Sequence, residues 1–254
     1  MPDRTLHITI LGSGTGEPSV TRGAPGILVM AAGRRILVDS GSGTLRALRM
    51  QGVTYLDIDV ICYSHFHCDH ISELAPILFA MRNMTVPRQK ELTLIGPPGF
   101  ESYYHGLLSL YAPTLDPAGY RVQIEEIGEG VLTRPEATYR VLPVSHSASS
   151  IGYRLESGGR SFAYSGDTAY CDNLVALGRD ADLLALECSF PDERESEGHL
   201  TPRLAGAIAR RAGCRRLLLT HFYPLCEGFD ILGQCRRVYQ GEIIIASDGM
   251  EIDV

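Results

Sequence analysis

Apolar and polar residues alternate through Thr5–Leu11, Gly26–Ala31 and Arg34–Asp39, the period-two pattern of strands that bury one face. A short turn containing Gly33 separates the last two, which predicts a hairpin. Thr44–Gln51 has helical spacing, Ile58–Tyr63 returns to strand, and Ser72–Met84 is helical again. The polar segment Ser64–His70 therefore sits between a strand end and a helix start. Further strands are expected at Leu92–Ile95, Arg121–Ile127, Tyr139–Val144, Ile151–Glu156 and Ser161–Ser165, the last two joined as a hairpin by Ser157-Gly158-Gly159. The second half then alternates: helix Cys171–Leu177, strand Asp182–Glu187, helix Thr201–Ala212, strand Arg215–Thr220, a helical stretch near Phe229–Tyr239, and strands Glu242–Ala246 and Met250–Val254. Thr201–Ala212 is the best marked helix, with Thr201 as N-cap, Pro202 at its first position and Gly213 just past its end. Hairpins mixed with intervening helices in both halves predict sheets packed on each other with helices outside.

Composition narrows the class. The 254 residues are 44% hydrophobic and 21% charged, values that exclude disordered, collagenous and coiled-coil chains. No linker, low-complexity tract or solenoid repeat divides the sequence, so one domain over 1–254 is the expectation. The longest apolar runs are short, such as Ala75–Met81, far below the roughly 18–20 residues of a membrane span. Met1–Thr5 shows no basic and apolar leader, which makes a soluble, cytosolic protein the default. Seven scattered cysteines without a C-x-x-C pair read as idle or buried thiols. The net charge of −7 argues against non-specific nucleic-acid binding. Arg82, Arg88 and Lys90 form the one basic cluster near a plausible mouth, and a solvated face explains it best.

The chemistry concentrates in His65-Phe66-His67-Cys68-Asp69-His70, four potential metal ligands in six residues. Side chains alternate along an extended segment, so His65 and His67 point the same way and share one ion, while Asp69 and His70 turn toward a second as the chain becomes helical. Each remaining strand-to-loop junction adds a ligand-type residue: His146, Asp167, Glu187 and His221. Strand ends hold such residues rigidly, as a metal site requires. His7 and His105 fall outside these positions and read as ordinary surface or packed histidines.

These residues carry a resemblance. The chain resembles the metallo-β-lactamase superfamily and, within it, the ribonuclease Z-like branch, through Ile8–Gly16, Leu37–Thr44, His65–His70, His146, Gly152–Leu155, Ser165–Thr168, Glu187 with Phe190, His199 with Thr201, and Leu219–Phe222. The resemblance implies a four-layer αβ/βα sandwich with two metals at one edge of its sheets. It assigns His65, His67 and His146 to one ion, Asp69, His70 and His221 to the other, and Asp167 as a bridge between them. Imidazole and carboxylate ligands without thiolate suit Zn²⁺, with Mn²⁺ or Fe²⁺ left open. Cys68 occupies a variable position of the motif, and Asp39 resembles a carboxylate that orients a ligand histidine. Gly12, Gly14 and Gly16 miss the G-x-G-x-x-G spacing and read as a tight turn near the site.

Two divalent cations against two carboxylates and a hydroxide leave the pocket net positive, so an anionic substrate is expected. In this reading a hydroxide held by two metals attacks a phosphodiester. The resemblance makes Glu187 and His199 the pair that protonates the departing alkoxide, which with Asp69 completes the expected catalytic set. Long-arm members of the branch insert a tRNA-binding arm between the residues matching His146 and Asp167, where this chain has 20 residues. The expectation is therefore a phosphodiesterase acting on a small nucleotide diester or a short RNA end, in a family that often dimerises. Processing of tRNA 3′ ends, or a non-catalytic metal-binding accessory role, are the alternatives.

Overall fold

The computed structural model describes residues 6–83, 85–86 and 88–254. Thr5 and Met84, expected to open the first strand and close a helix, lie outside the described residues, as does the rest of the Met1–Thr5 stretch. The first half runs β1 (His7–Gly12), β2 (Gly26–Ala31), β3 (Arg34–Val38), α1 (Thr44–Met50), β4 (Val60–Cys62), α2 (Cys68–Ile71), α3 (Leu74–Asn83), β5 (Leu92–Gly96), α4 (Phe100–Leu110) and β6 (Val122–Glu126). The second half runs β7 (Gly130–Thr133), β8 (Thr138–Pro143), β9 (Ile151–Ser157), β10 (Arg160–Tyr164), α5 (Asp172–Gly178), β11 (Leu183–Glu187), α6 (Pro202–Ala212), β12 (Arg216–Thr220), α7 (Ile231–Arg236), β13 (Glu242–Ile245) and β14 (Glu251–Asp253).

Two seven-stranded sheets form, the first from β1–β6 with β14 and the second from β7–β13, in the orders β14-β1-β2-β3-β4-β5-β6 and β13-β12-β11-β10-β9-β8-β7. Both follow the same plan: antiparallel hairpins first, then parallel strands from β3 to β6 and from β10 to β13. β14 returns to pair with β1 in the first sheet. The predicted hairpin turns form as expected. Ala32 and Gly33 have φ of 47° and 76°, Gly158 and Gly159 of 60° and 82°, the left-handed pairs that match strand twist in a two-residue turn.

The alternation along the strands sorts the core. Ile8, Ile10, Val29, Ile36, Val38, Val60 and Cys62 face the layer between the sheets, where they meet Tyr139, Val141, Tyr153, Leu155 and Phe162. Their neighbours Leu28, Leu37, Ile61, Tyr63 and Leu94 point the other way, onto Leu48 of α1, Ile77 and Leu78 of α3 and Phe100 of α4. Burying each Ile, Leu or Phe contributes about 1.5–3 kcal/mol, and strands buried on both faces need the near-continuous apolar runs seen here. This is the four-layer sandwich expected.

Two elements were not anticipated. α4 escapes notice because Phe100–Leu110 carries three aromatic residues and Gly106, all weak helix formers. β7 is only four residues long and starts at a glycine on a sheet edge. The segment read as the loop Ser64–His70 is partly helical, since α2 already begins at Cys68. Among the described residues no helix is long and apolar enough to cross a membrane.

Candidate metal centre

The strands of both sheets deliver their C-terminal ends to one edge. β4 leads through Tyr63 and Ser64 to His65; β8 leads to His146, β10 to Asp167 and β12 to His221, while Glu187 is the last residue of β11. His67 caps α2, so Asp69 and His70 emerge from its single turn. Two close clusters result: His65, His67, His146 and Asp167, and beside it Asp69, His70 and His221. Asp167 lies between them. Its Oδ2 is 3.9 Å from Nε2 of both His65 and His146, and its Oδ1 is 3.1 Å and 3.2 Å from Nε2 of His70 and His221.

Neighbouring acceptors fix which nitrogen each ring presents. Asp39 accepts from His70 Nδ1 at 2.8 Å. It also takes the Ser64 hydroxyl proton at 2.8 Å, leaving the Ser64 oxygen to accept from His65 Nδ1 at 3.0 Å. Glu187 plays the same part at the other end: it takes the Ser189 hydroxyl proton at 2.5 Å, and Ser189 Oγ accepts from His221 Nδ1 at 3.0 Å. His146 Nδ1 donates to the Gly198 carbonyl at 3.0 Å. All four rings therefore turn Nε2 inward, toward Asp167. The Nε2 atoms of His70 and His221 are 3.1 Å apart, and His146 Nε2 is 3.0 Å from His67 Nδ1.

Converging lone pairs repel unless a cation lies among them, and buried polar groups without partners are costly. His65 Nε2 and Asp167 Oδ1 are buried with no hydrogen-bond partner. Burial, aided by the charge of His70, lowers the His65 pKa to about 2, so this ring is the neutral imidazole a metal binds. Burial would also lower the His70 pKa, yet Asp167 and Asp39 outweigh it and raise it, which marks a place that stabilises positive charge. These donors suit divalent metal ions.

His199 stands beside the two clusters. Its Nδ1 donates to Glu187 Oε1 at 2.9 Å, and its ring centroid is 5.0 Å from that of His146. Burial pulls its pKa down, but the Glu187 hydrogen bond and charge together hold it above the usual histidine value. Glu187 itself is fully buried and also accepts from the amides of Thr168, Ser189 and Leu200.

The local backbone is shaped for this. Asp39 and His221 have φ of 55° and 61°, left-handed conformations that cost about 1–3 kcal/mol each in non-glycine residues and concentrate at functional sites. The Gly12–Gly16 segment lies beside the site as expected but is a bent loop held by distant partners, not a tight hydrogen-bonded turn: Gly14 N–H donates to the Gly23 carbonyl at 2.8 Å and Gly16 N–H to Asp69 Oδ2 at 2.9 Å. A Cβ on Gly41 would meet the Asp69 carbonyl oxygen at 1.9 Å, so only glycine lets that loop press against the motif.

Every site residue expected from sequence thus reaches this edge, and Asp39 touches His70 as anticipated. Cys68 is exposed and outside both clusters. His7 bonds Asp253, and His105 lies beside Glu101 on α4. The basic cluster requires a correction. Arg88 is buried, not solvated, and donates to the carbonyls of Tyr55, Leu56, Ile58 and Glu91. Lys90 pairs with Asp59 at 2.7 Å, and Arg82 donates to the Asp116 carbonyl at 2.5 Å. Sequence reasoning also missed Ser189 and Tyr164, whose hydroxyl donates to Asp39 at 3.0 Å. Ser189 had a signal: it lies two residues after Glu187 along an extended chain, hence on the same side.

A family model for the β-lactamase superfamily domain matches residues 34–222. The chain belongs to that superfamily. It is 32% identical to the ribonuclease Z of Mycobacterium bovis (strain BCG / Pasteur 1173P2), over 86% of each chain. Among solved structures it resembles the metallo-β-lactamase fold protein YhfI of Bacillus subtilis, with a TM-score of 0.86, 26% identity and 98% and 100% of the two chains covered. It likewise resembles the short form of human tRNase Z, with a TM-score of 0.79, 25% identity and 97% and 98% covered. The chain is a metal-dependent hydrolase of the ribonuclease Z type.

Proposed function

We propose that the protein is a dinuclear phosphodiesterase acting on a small or flexible nucleotide diester. His65, His67 and His146 would hold one divalent ion and Asp69, His70 and His221 the other, with Asp167 placed between the two groups; Zn²⁺ is the ion these donors suit best. The observation that carries the reading is the division of Asp167, one oxygen toward each cluster. When bound, the ions supply a nucleophile and positive charge for the developing phosphorane. The protein supplies the rest. Asp39, Ser64 and Ser189 hold the ligand rings in one tautomer, and Glu187 keeps His199 oriented and protonated. As the phosphorus–oxygen bond breaks, the His199 Nε2 proton passes to the departing oxygen and the bond's electron pair stays with that oxygen.

Processing of precursor tRNA is the second reading, supported by the ribonuclease Z and tRNase Z relatives. Against it stand the −7 charge and the connection from His146 to Asp167, which is the β9–β10 hairpin with short joining segments. A panel of bis(p-nitrophenyl) phosphate, cyclic nucleotides, dinucleotides and precursor tRNA tests the choice. Efficient cleavage of small diesters with weak, salt-insensitive tRNA binding is the expected result; tight and steeply salt-dependent tRNA binding would transfer the conclusion to the second reading.

A further inference from the structure

The rings of His199 and His221 are nearly parallel, 14° between planes and 6.3 Å between centroids. Tyr223 stands across the end of the slot between them, at 79° to His199 and 81° to His221, with centroids 6.3 Å and 6.2 Å away. The left-handed turn at His221 places it there, sending Phe222 inward beneath Arg22 and leaving Tyr223 half-buried at the rim. One face of the Tyr223 ring is covered by Phe190, stacked at 4.7 Å and 20°. Phe190 in turn meets His199 edge-on at 5.6 Å. Among the described residues no other ring stacks on Tyr223, and its hydroxyl makes no hydrogen bond.

On the phosphodiesterase reading, the departing oxygen receives its proton from His199, whose ring lies between those of His146 and His221, 5.0 Å and 6.3 Å from their centroids. Tyr223 and Phe190 are the half-buried aromatic rings beside that imidazole, 6.3 Å and 5.6 Å from it. We propose that Tyr223, held flat by Phe190, is the specificity-determining contact for the leaving half of the substrate and selects a nucleoside, stacking its base on the tyrosine ring. The inference rests on the proposed function for the identity of the departing oxygen. A planar base needs a rigid aromatic face and no sequence-specific hydrogen bonds, which is what this pair offers. The role is one of positioning; no bond to Tyr223 forms or breaks.

The test compares two non-cleavable analogues in which CH₂ replaces the leaving oxygen: one with a nucleoside on the leaving side, the other with a methyl group. Calorimetric titration of the metal-loaded protein reads their affinities without turnover. Wild type should prefer the nucleoside analogue on the order of tenfold, the scale of one base stacked on an aromatic ring. Tyr223→Leu, which keeps bulk and removes the ring, should abolish that preference and leave the methyl analogue unchanged, whereas Tyr223→Phe and Tyr223→Trp should retain it. With cleavable diesters, Tyr223→Leu should raise KM for a dinucleotide with little change in kcat, and should leave a nucleoside methyl phosphate unaffected. Equal weakening of both analogues, or no change in either, overturns the inference, as does loss of the preference in Tyr103→Ala, which removes the separate Phe66–Tyr103 stack. A protein that cleaves no diester yet keeps a Tyr223-dependent preference refutes the phosphodiesterase reading and leaves the platform standing; diester cleavage without that preference does the reverse.

Discussion

Deleting the His199 imidazole distinguishes a proton donor from a structural histidine, because the need for a proton depends on the leaving group. An alkoxide is a poor leaving group, and general acid catalysis contributes about 10²–10⁴-fold to its departure. p-Nitrophenolate is a stable anion that leaves unaided. His199→Ala should therefore lower kcat for a dinucleotide by about 10²–10⁴-fold while bis(p-nitrophenyl) phosphate is hydrolysed near the parental rate. The ring is not among the two ligand clusters, so metal content should stay at the parental level. Glu187→Gln is a different perturbation. Glu187 Oε1 accepts from Thr168 N and His199 Nδ1, and Oε2 from Ser189 Oγ, Ser189 N and Leu200 N. An amide placed either way sets its NH₂ against at least two donors, each unmade bond costing about 1–3 kcal/mol. Because Ser189 also orients His221, this variant should lose activity on both substrates together with thermal stability. Steady-state kinetics on the two diesters, elemental metal analysis and melting curves read all of this. Equal losses in His199→Ala on both diesters, or loss of metal from it, would refute the proton-donor role.

Two other substitutions probe how the fold holds the site. Gly41→Ala would set a methyl group 1.9 Å from the Asp69 carbonyl oxygen and 2.6 Å from Ala24 Cβ, so the motif must shift; bound metal measured per chain should fall while far-UV circular dichroism stays near parental. Arg88→Met leaves four carbonyl acceptors without their shared guanidinium and should destabilise by about 3 kcal/mol or more in urea unfolding, with the activity of the folded fraction unchanged.

The residues of the two clusters were readable because they combine a dense local motif with single residues at strand ends, and both signals survive without knowledge of the fold. Strand identity was readable for the same reason: period-two burial is written into Ile8–Ile10, Ile27–Val29 and Ile36–Val38. The end of α6 followed from chemistry that acts locally, with Thr201 accepting from the Leu204 amide and Gly213 at φ 66°. What sequence hid depends on distant partners. α4 is stabilised by Phe100 and Tyr104 packing into the core, which propensity does not register. Arg88 looked like a surface charge because nothing near it in sequence reveals the carbonyls of Tyr55, Leu56 and Ile58. The split of Asp167 between two clusters, and the sharing of Ser189 by Glu187 and His221, exist only once the two sheets meet.

Whether a pair of divalent ions shares Asp167, as proposed, is tested most directly by elemental analysis of the chain and of Asp167→Ala alongside diester hydrolysis. Two ions per parental chain are expected, with activity lost on chelation and restored by Zn²⁺ or Mn²⁺, and with Asp167→Ala depleted at both sites because its two oxygens face different clusters. A metal-free chain that remains fully active, or an Asp167→Ala chain that keeps two ions, would contradict it.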